Sequence, residues 1–255
     1  MNVRSSIACV ALSIAASTAS AQQDWHGFYL GVNAGYAFGK SDVSTTTVFS
    51  GTGYFASSSV DTINKDGVGS VSPSGFIGGA TVGWNISKGK TLFGLEGDYD
   101  YMSASDSRSV TTVYPCCGPT SYTLSQTTKA DWLATLRLRF GIAKPDMLWY
   151  VTGGAAFASV KFSETFTDTF GPSDQSGSQT STRTGWTAGL GGERALGADH
   201  KWSLKLEYLY ADLGKKTFTG GILSDDGTPV PDNPFTNSST LTVNVVRVGL
   251  NYHFK

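Results

Sequence analysis

The chain has 255 residues, 40% hydrophobic and only 15% charged, with 19 Lys and Arg against 20 Asp and Glu. That near-neutral balance leaves no basic footprint for nucleic acid. Sparse charge together with 31 glycines excludes both a coiled coil and a disordered acidic tail.

Residues 1–21 read as an export signal. Arg4 gives a short positive region, residues 7–16 an apolar run, and Ala19-Ser20-Ala21 an A-x-A cleavage site. The apolar run is too short for a spanning helix. Cys9 sits at its start rather than after it, which argues against lipidation. No later segment has the ~20 consecutive apolar residues of a membrane helix. Residues 22–255 are therefore expected to form one exported domain.

Taken in order, that domain alternates apolar and polar residues with a period of two, the mark of strands with one greasy and one wet face. The first predicted strand, 25–39, sets Phe28, Leu30, Val32, Ala34, Tyr36 and Phe38 against Gly31, Asn33, Gly35 and Gly39. Residues 41–73 hold too little apolar material for a core of their own and read as a mobile loop. The second strand, 74–86, shows Phe76, Ala80, Val82, Trp84 and Ile86 opposite Thr81, Gly83 and Asn85. After a tight turn at 87–90, the third strand, 92–102, sets Phe93, Leu95, Gly97, Tyr99 and Tyr101 against Gly94, Glu96, Asp98 and Asp100.

Residues 103–127 read as a second long loop, with two prolines and the pair Cys116-Cys117. Being adjacent, these cysteines cannot staple distant parts of the chain; they are either a vicinal disulfide or thiols, with a local role in the loop. The fourth strand, 128–142, carries Trp132, Ala134, Leu136, Leu138, Phe140 and Ile142 opposite Thr135, Arg137, Arg139 and Gly141. A short turn at 143–146 leads to the fifth strand, 148–162, whose register is open: Leu148 and Tyr150 share one parity, Val151, Ala155 and Phe157 the other. Residues 163–183 read as a third long loop.

The sixth strand, 184–196, sets Trp186, Ala188 and Leu190 against Thr187, Gly189, Gly191 and Glu193. After a turn at 197–200, the seventh, 201–214, sets Trp202, Leu204, Leu206, Tyr208 and Tyr210 against Ser203, Lys205 and Glu207. A fourth long loop spans 215–239. The eighth strand, 241–254, sets Val246, Val248, Leu250, Tyr252 and Phe254 against Arg247, Gly249, Asn251 and His253.

Two regularities go beyond alternation. Connections run long, short, long, short to the end, as in outer-membrane barrels with long external loops and brief periplasmic turns. Aromatics also collect at strand ends. Tyr36, Phe38, Phe76, Tyr99, Tyr101, Trp132, Trp186, Tyr208 and Tyr210 adjoin long loops, and Trp84, Phe93, Phe140, Trp202, Tyr252 and Phe254 adjoin short turns or the end of the last strand. Amphipathic rings favour bilayer interfaces, so these form two girdles around an aliphatic band. A soluble β-sandwich predicts neither regularity, and a lipocalin-like barrel would turn its apolar face inward.

The predicted fold is all-β: a closed eight-stranded antiparallel transmembrane β-barrel, an up-and-down meander with both termini periplasmic. A barrel of about this size has room inside only for its own side chains. The inward set holds Glu96, Asp98, Asp100, Arg137, Arg139, Glu193, Lys205, Glu207 and Arg247, four basic and five acidic. These are expected to pair as a network that largely plugs the lumen, since unpaired buried charge is costly. A narrow porin-like diffusion channel is the alternative.

The chain resembles the outer-membrane immunogenic protein family, within the broader OmpA-like group. The likeness lies in WHGFYLGVNAGY from Trp25, FGLEGD from Phe93, YVTGGAA from Tyr150, GWTAG from Gly185 and VGLNYHF from Val248. It implies an integral outer-membrane barrel with surface-exposed, antigenic loops, and brings no catalytic residues. It also implies outer-membrane lipid, lipopolysaccharide and the assembly machinery as partners, with any external ligand of the loops left open. One departure is Lys255, which follows the aromatic residue on which such proteins usually end.

A lipid-modifying enzyme would need a nucleophile and base near the outer girdle. His26, His200 and His253 fall instead at the opposite end, in interfacial or solvated positions. No zinc spacing, P-loop or dinucleotide fingerprint is present. Asp98, Asp100 and Asp106 lack the spacing of a cation site. No cofactor, metal or catalytic residue is expected.

Overall fold

The computed structural model describes residues 25–170, 174–197, 199–221, 223–225 and 228–254. The expected signal peptide with Cys9, the start at Gln22 and Lys255 lie outside the described residues. In chain order the elements are β1 (Gly27–Thr46), α1 (Ser57–Asp66), β2 (Val68–Val71), β3 (Ser74–Lys88), β4 (Thr91–Val113), β5 (Ser121–Ala143), β6 (Met147–Asp168), β7 (Asp174–Leu196), β8 (Trp202–Thr219), β9 (Leu223–Asp225), β10 (Thr228–Val230) and β11 (Thr236–His253).

Eight long strands make an antiparallel ring in the order β1-β3-β4-β5-β6-β7-β8-β11. β11 pairs back onto β1, from Tyr29 opposite His253 to Thr46 opposite Thr236. Three short strands sit outside this ring order: β2 pairs with β1, and β9 pairs with β7 and β10.

The ring is inverted relative to a soluble protein. Leu138 is 70% exposed and Val32 62%, while Glu96, Asp100 and Lys205 are wholly buried. Strand pleating explains this. Successive side chains point to opposite faces, so the period-two pattern sends every charged position of the wet face inward. The register of β6, open from the sequence, places Leu148, Tyr150 and Thr152 inside and Trp149 and Val151 outside.

The turns at one end are short, 89–90, 144–146 and 197–201. At the other end the connections differ from the expected four long loops. Residues 103–113 and 121–127 are strand, as are 163–168 and 174–183, which leaves connections of only 114–120 and 169–173. The missed strand carries Ser and Thr along its outward face and mixed polar and apolar residues inside, so it lacks the greasy outer stripe of the predicted strands, yet threonine is a good strand former. Its cross-strand hydroxyls pair directly, Ser109 with Ser125 at 3.0 Å and Thr111 with Thr123 at 2.9 Å.

The 41–73 stretch is not a structureless loop either. It finishes β1, forms α1 and adds β2. α1 has a small apolar face, Val60 and Ile63, too weak to signal a helix alone, and it is held by packing onto Phe55, Tyr122, Phe166 and Phe235. Its last residue is tied down by strands. Asp66 Oδ2 accepts from Thr112 Oγ1 at 2.6 Å and Tyr122 OH at 2.8 Å, and Arg108 Nη1 donates to the Asp66 carbonyl at 3.0 Å.

Candidate functional site

The interior is stacked in layers along the ring axis, and each layer follows from one inward position per strand every two residues. At the short-turn end Trp25, Leu92, Leu148 and Tyr150 form an apolar cluster. Above it the ring brings together all nine charged residues expected inside: Glu96, Asp98, Asp100, Arg137, Arg139, Glu193, Lys205, Glu207 and Arg247. Each of their side chains is fully enclosed.

Two guanidiniums are the hubs. Arg137 reaches Glu96, Asp98 at 2.7 Å and Glu207 at 3.0 Å, with its Nε donating to Thr135 Oγ1 at 2.8 Å. Arg247 reaches Asp100 at 2.5 Å, Glu207 at 2.7 Å and Asp98 at 3.2 Å. Arg139 pairs with Glu193 and Glu96 and lies 3.8 Å over the ring of Tyr150. Lys205 donates to Glu96 at 3.1 Å. Planar forks suit carboxylates, which is why three of the four cations here are arginine.

Two tyrosines absent from the sequence-based set complete the layer. Tyr29 donates to Glu96 at 2.6 Å, and Tyr150 donates to Glu207 at 2.9 Å. The inward parity of Tyr29 was legible, since it shares a face with Gly31 and Asn33, whereas that of Tyr150 was not, because the register of its strand was open from the sequence. Space for the long side chains comes from glycine. A Cβ at Gly83 would stand 2.2 Å from the Tyr29 ring, and one at Gly35 would stand 2.7 Å from Arg247 Cβ.

His253 is not solvated or interfacial as expected; it is 2% exposed. Its odd parity in β11 turns it inward, where Nε2 lies 2.9 Å from Ser203 Oγ. Glu193 bonds the same Ser203 hydroxyl at 3.0 Å and stands 3.9 Å from that same His253 nitrogen. In a catalytic triad the carboxylate would instead orient the imidazole through its other nitrogen, so this grouping lacks triad geometry.

The next layer is aliphatic. Two residues beyond Asp100 comes Met102; beyond Thr135, Leu133; beyond Glu207, Leu209; beyond Arg247, Val245 and Val243. With Ile77, Leu213 and Leu241 they form one buried cluster directly above the charges. Its signal in the sequence is weak: runs such as Val245-Val246 and Leu209-Tyr210 are apolar on both faces, as in a strand buried on its inner side.

Further out lies a polar belt. Thr45 donates to Asn237 at 2.7 Å, Gln126 to Thr45 at 2.8 Å, and Arg183 to the Ser239 carbonyl at 3.0 Å. Glu164 is buried there and accepts from Asn237 Nδ2 at 3.3 Å. Burial, only partly offset by that amide and Gln175, pushes its carboxyl up to about 7. The folded state thus holds this proton more tightly than the unfolded chain. Stability from this group is greatest below pH ~4.5 and falls as pH rises to ~7, by at most ~1.4 kcal/mol per pH unit. Glu164→Gln is expected to flatten that slope in urea titrations run across this range. An unchanged slope would place the carboxyl in water.

The belt is roofed by Phe55, Tyr114, Tyr122, Phe166, Leu223 and Phe235 with α1. Cys116 and Cys117, left open between thiols and disulfide, are bonded to each other in this roof. The exterior carries the aromatic residues in two bands. Tyr36, Phe38, Phe76, Tyr99, Tyr101, Trp186 and Tyr208 are exposed toward the roofed end, with Trp132 and Tyr210 half-buried; Trp84, Phe93, Phe140, Trp202 and Phe254 are exposed toward the short turns, with Tyr252 half-buried. Among the described residues no group of His, Cys, Asp and Glu is placed to hold a metal ion.

The chain is 34% identical over 236 residues to the 31 kDa outer-membrane immunogenic protein of Brucella melitensis, covering 90% of this chain and 84% of that protein. It is 27% identical to the 25 kDa outer-membrane immunogenic protein of Brucella abortus, covering 91% and 81%. Among solved structures, the outer membrane protease OmpT of Escherichia coli aligns over 89% of this chain and 97% of its own with 11% identity and a TM-score of 0.42, too loose to bear on function. A model of the outer membrane protein beta-barrel domain matches residues 7–254, and the chain belongs to that family.

Proposed function

We propose that this outer-membrane protein is a closed, non-conducting transmembrane β-barrel with a structural and surface-presenting role. The observation that carries the reading is the aliphatic layer of Ile77, Met102, Leu133, Leu209, Val243 and Val245 stacked on the charge network. An ion crossing it would shed water against side chains that offer no replacement. A transmembrane strand needs ~9–11 residues, and β4, β5 and β7 have 23 each. The ring therefore continues well past the outer aromatic band, and its α1-bearing roof stands outside the cell. The short turns and both termini are periplasmic in this arrangement. Outer-membrane lipid and lipopolysaccharide contact the apolar exterior, and the barrel-assembly machinery inserts it.

Two other readings are weaker. The enclosed nine-charge layer favours a narrow diffusion channel only if the aliphatic layer opens. A lipid-modifying enzyme would need its base near the outer aromatic band, whereas His253 lies enclosed at the other end. Conductance of the refolded protein in a planar bilayer decides between barrel and channel. The expected trace is silent, alongside the heat-modifiable gel migration of a folded barrel; steady, discrete openings would assign the charges to a selectivity lining.

A further inference from the structure

Three connections remote in sequence build one small cavity of ≈ 100 Å³ at the roofed end. Tyr54 and Phe55 come from the segment before α1, Tyr114 and the Cys116–Cys117 disulfide from the β4–β5 connection, and Asp168 and Phe170 from the end of β6. The rings meet at steep angles. Tyr54 and Phe170 stand 6.2 Å apart at 78°, and Tyr54 and Phe55 5.2 Å apart at 86°. Steeply angled aromatic walls can surround a small group with ring surface on several sides.

The polar chemistry is one-sided. The only ionisable carboxylate in the lining is Asp168, and no Lys, Arg or His lines the cavity among the described residues. Asp168 Oδ2 already accepts from Tyr114 OH at 2.5 Å and Tyr54 OH at 3.1 Å, and its Oδ1 accepts from the Phe170 amide at 2.7 Å. The carboxylate therefore supplies negative charge while most of its hydrogen-bonding positions are taken. A primary ammonium brings three donors that need acceptors. A quaternary ammonium brings charge and methyl groups and needs none, and aromatic faces attract it through the ring quadrupole. An anion would be repelled, and the volume is small for a sugar ring.

We propose that this external cavity binds a quaternary ammonium group of the choline class, held by the rings of Tyr54, Tyr114 and Phe170 and by the charge of Asp168. The group comes either from free choline or from the head group of a choline lipid.

The test uses the full refolded chain in octyl glucoside, which contains no choline. Saturation transfer from protein to the choline methyl protons reports binding. Saturable transfer is expected, with the neutral carbon isostere of choline, bearing tert-butyl in place of trimethylammonium, about ten-fold weaker or worse. Phe170 is 63% exposed and adds little to the roof, so Phe170→Ala keeps the barrel folded by gel migration. It is expected to weaken choline about five-fold or more. Asp168→Asn keeps an oxygen for the two tyrosines, gives up the acceptor of the Phe170 amide, removes the charge and is expected to weaken choline more than its isostere. Equal affinity for choline and its isostere, or choline binding unchanged in both variants, overturns the proposal. With the protein in phosphatidylethanolamine nanodiscs, Phe170-dependent capture by phosphatidylcholine vesicles assigns the lipid head group. Binding of choline without such capture assigns the free cation.

Discussion

Arg137→Met is expected to destabilise the folded barrel by about 3–5 kcal/mol. The guanidinium is fully enclosed and faces Glu96, Asp98 and Glu207, so its loss takes a partner from each and leaves five acidic against three basic side chains in the enclosed layer, with only Arg139, Lys205 and Arg247 to balance them. Methionine fills much of the same volume, so the loss reflects charge rather than a void. Equilibrium urea unfolding in lipid vesicles, followed by Trp fluorescence, gives the difference directly. Glu207→Gln added to Arg137→Met is expected to recover part of the loss, because it removes one of the excess negative charges. That non-additivity is the signature of a coupled group. Arg137→Met is also expected to stay silent in a planar bilayer, since the aliphatic layer above it is untouched. A conducting variant would show that the charges, not Leu133 and its neighbours, close the lumen.

The second large effect belongs to the exterior. Leu206→Arg is expected to cost about 2–4 kcal/mol in lipid. Leu206 is 59% exposed, faces outward from β8 midway between Trp202 and Tyr210, and pairs across the sheet with Val248 and Gly192. A guanidinium there would sit near the bilayer midplane, far from either aromatic band. The same change at Thr217, exposed on the part of β8 that continues beyond Tyr210, is expected to cost less than about 0.5 kcal/mol. The contrast separates a lipid-facing position from a watery one on the same strand. Equal costs at both sites would place the bilayer elsewhere along the ring.

Outside β6, whose two parities both carry apolar residues, the face of a strand residue was readable because it depends only on the local pleat. Glu96, Arg137, Glu207 and Arg247 share the parity of glycines and small polar residues, and the structure buries all four. The aromatic bands were readable for the same reason, since ring placement along a strand is a matter of counting. Strand ends were not readable where Ser and Thr replace the apolar residues of the outward face, because a strand without its greasy outer stripe looks like loop. Segment 41–73 failed similarly: α1 owes its place to Phe166, Tyr122 and Phe235, residues more than fifty positions away.

The sequence by itself determined an all-β, inside-out chain with its charges turned inward and its aromatics at two levels. Only the tertiary structure decided which charges meet. Glu96 is opposite Arg137 on the neighbouring strand, but Glu207 reaches Arg137 from across the interior, and Asp98 reaches Arg247 from a strand 149 residues away. The tertiary structure likewise decided that Ile77, Leu133 and Val243 coincide at one height, and that Tyr54, Tyr114 and Asp168 enclose one cavity. The physical reason is the range of the constraint. The direction of a side chain repeats every two residues and is set by its own backbone, whereas its partners depend on the stagger between strands, which closing the ring fixes for all eight at once.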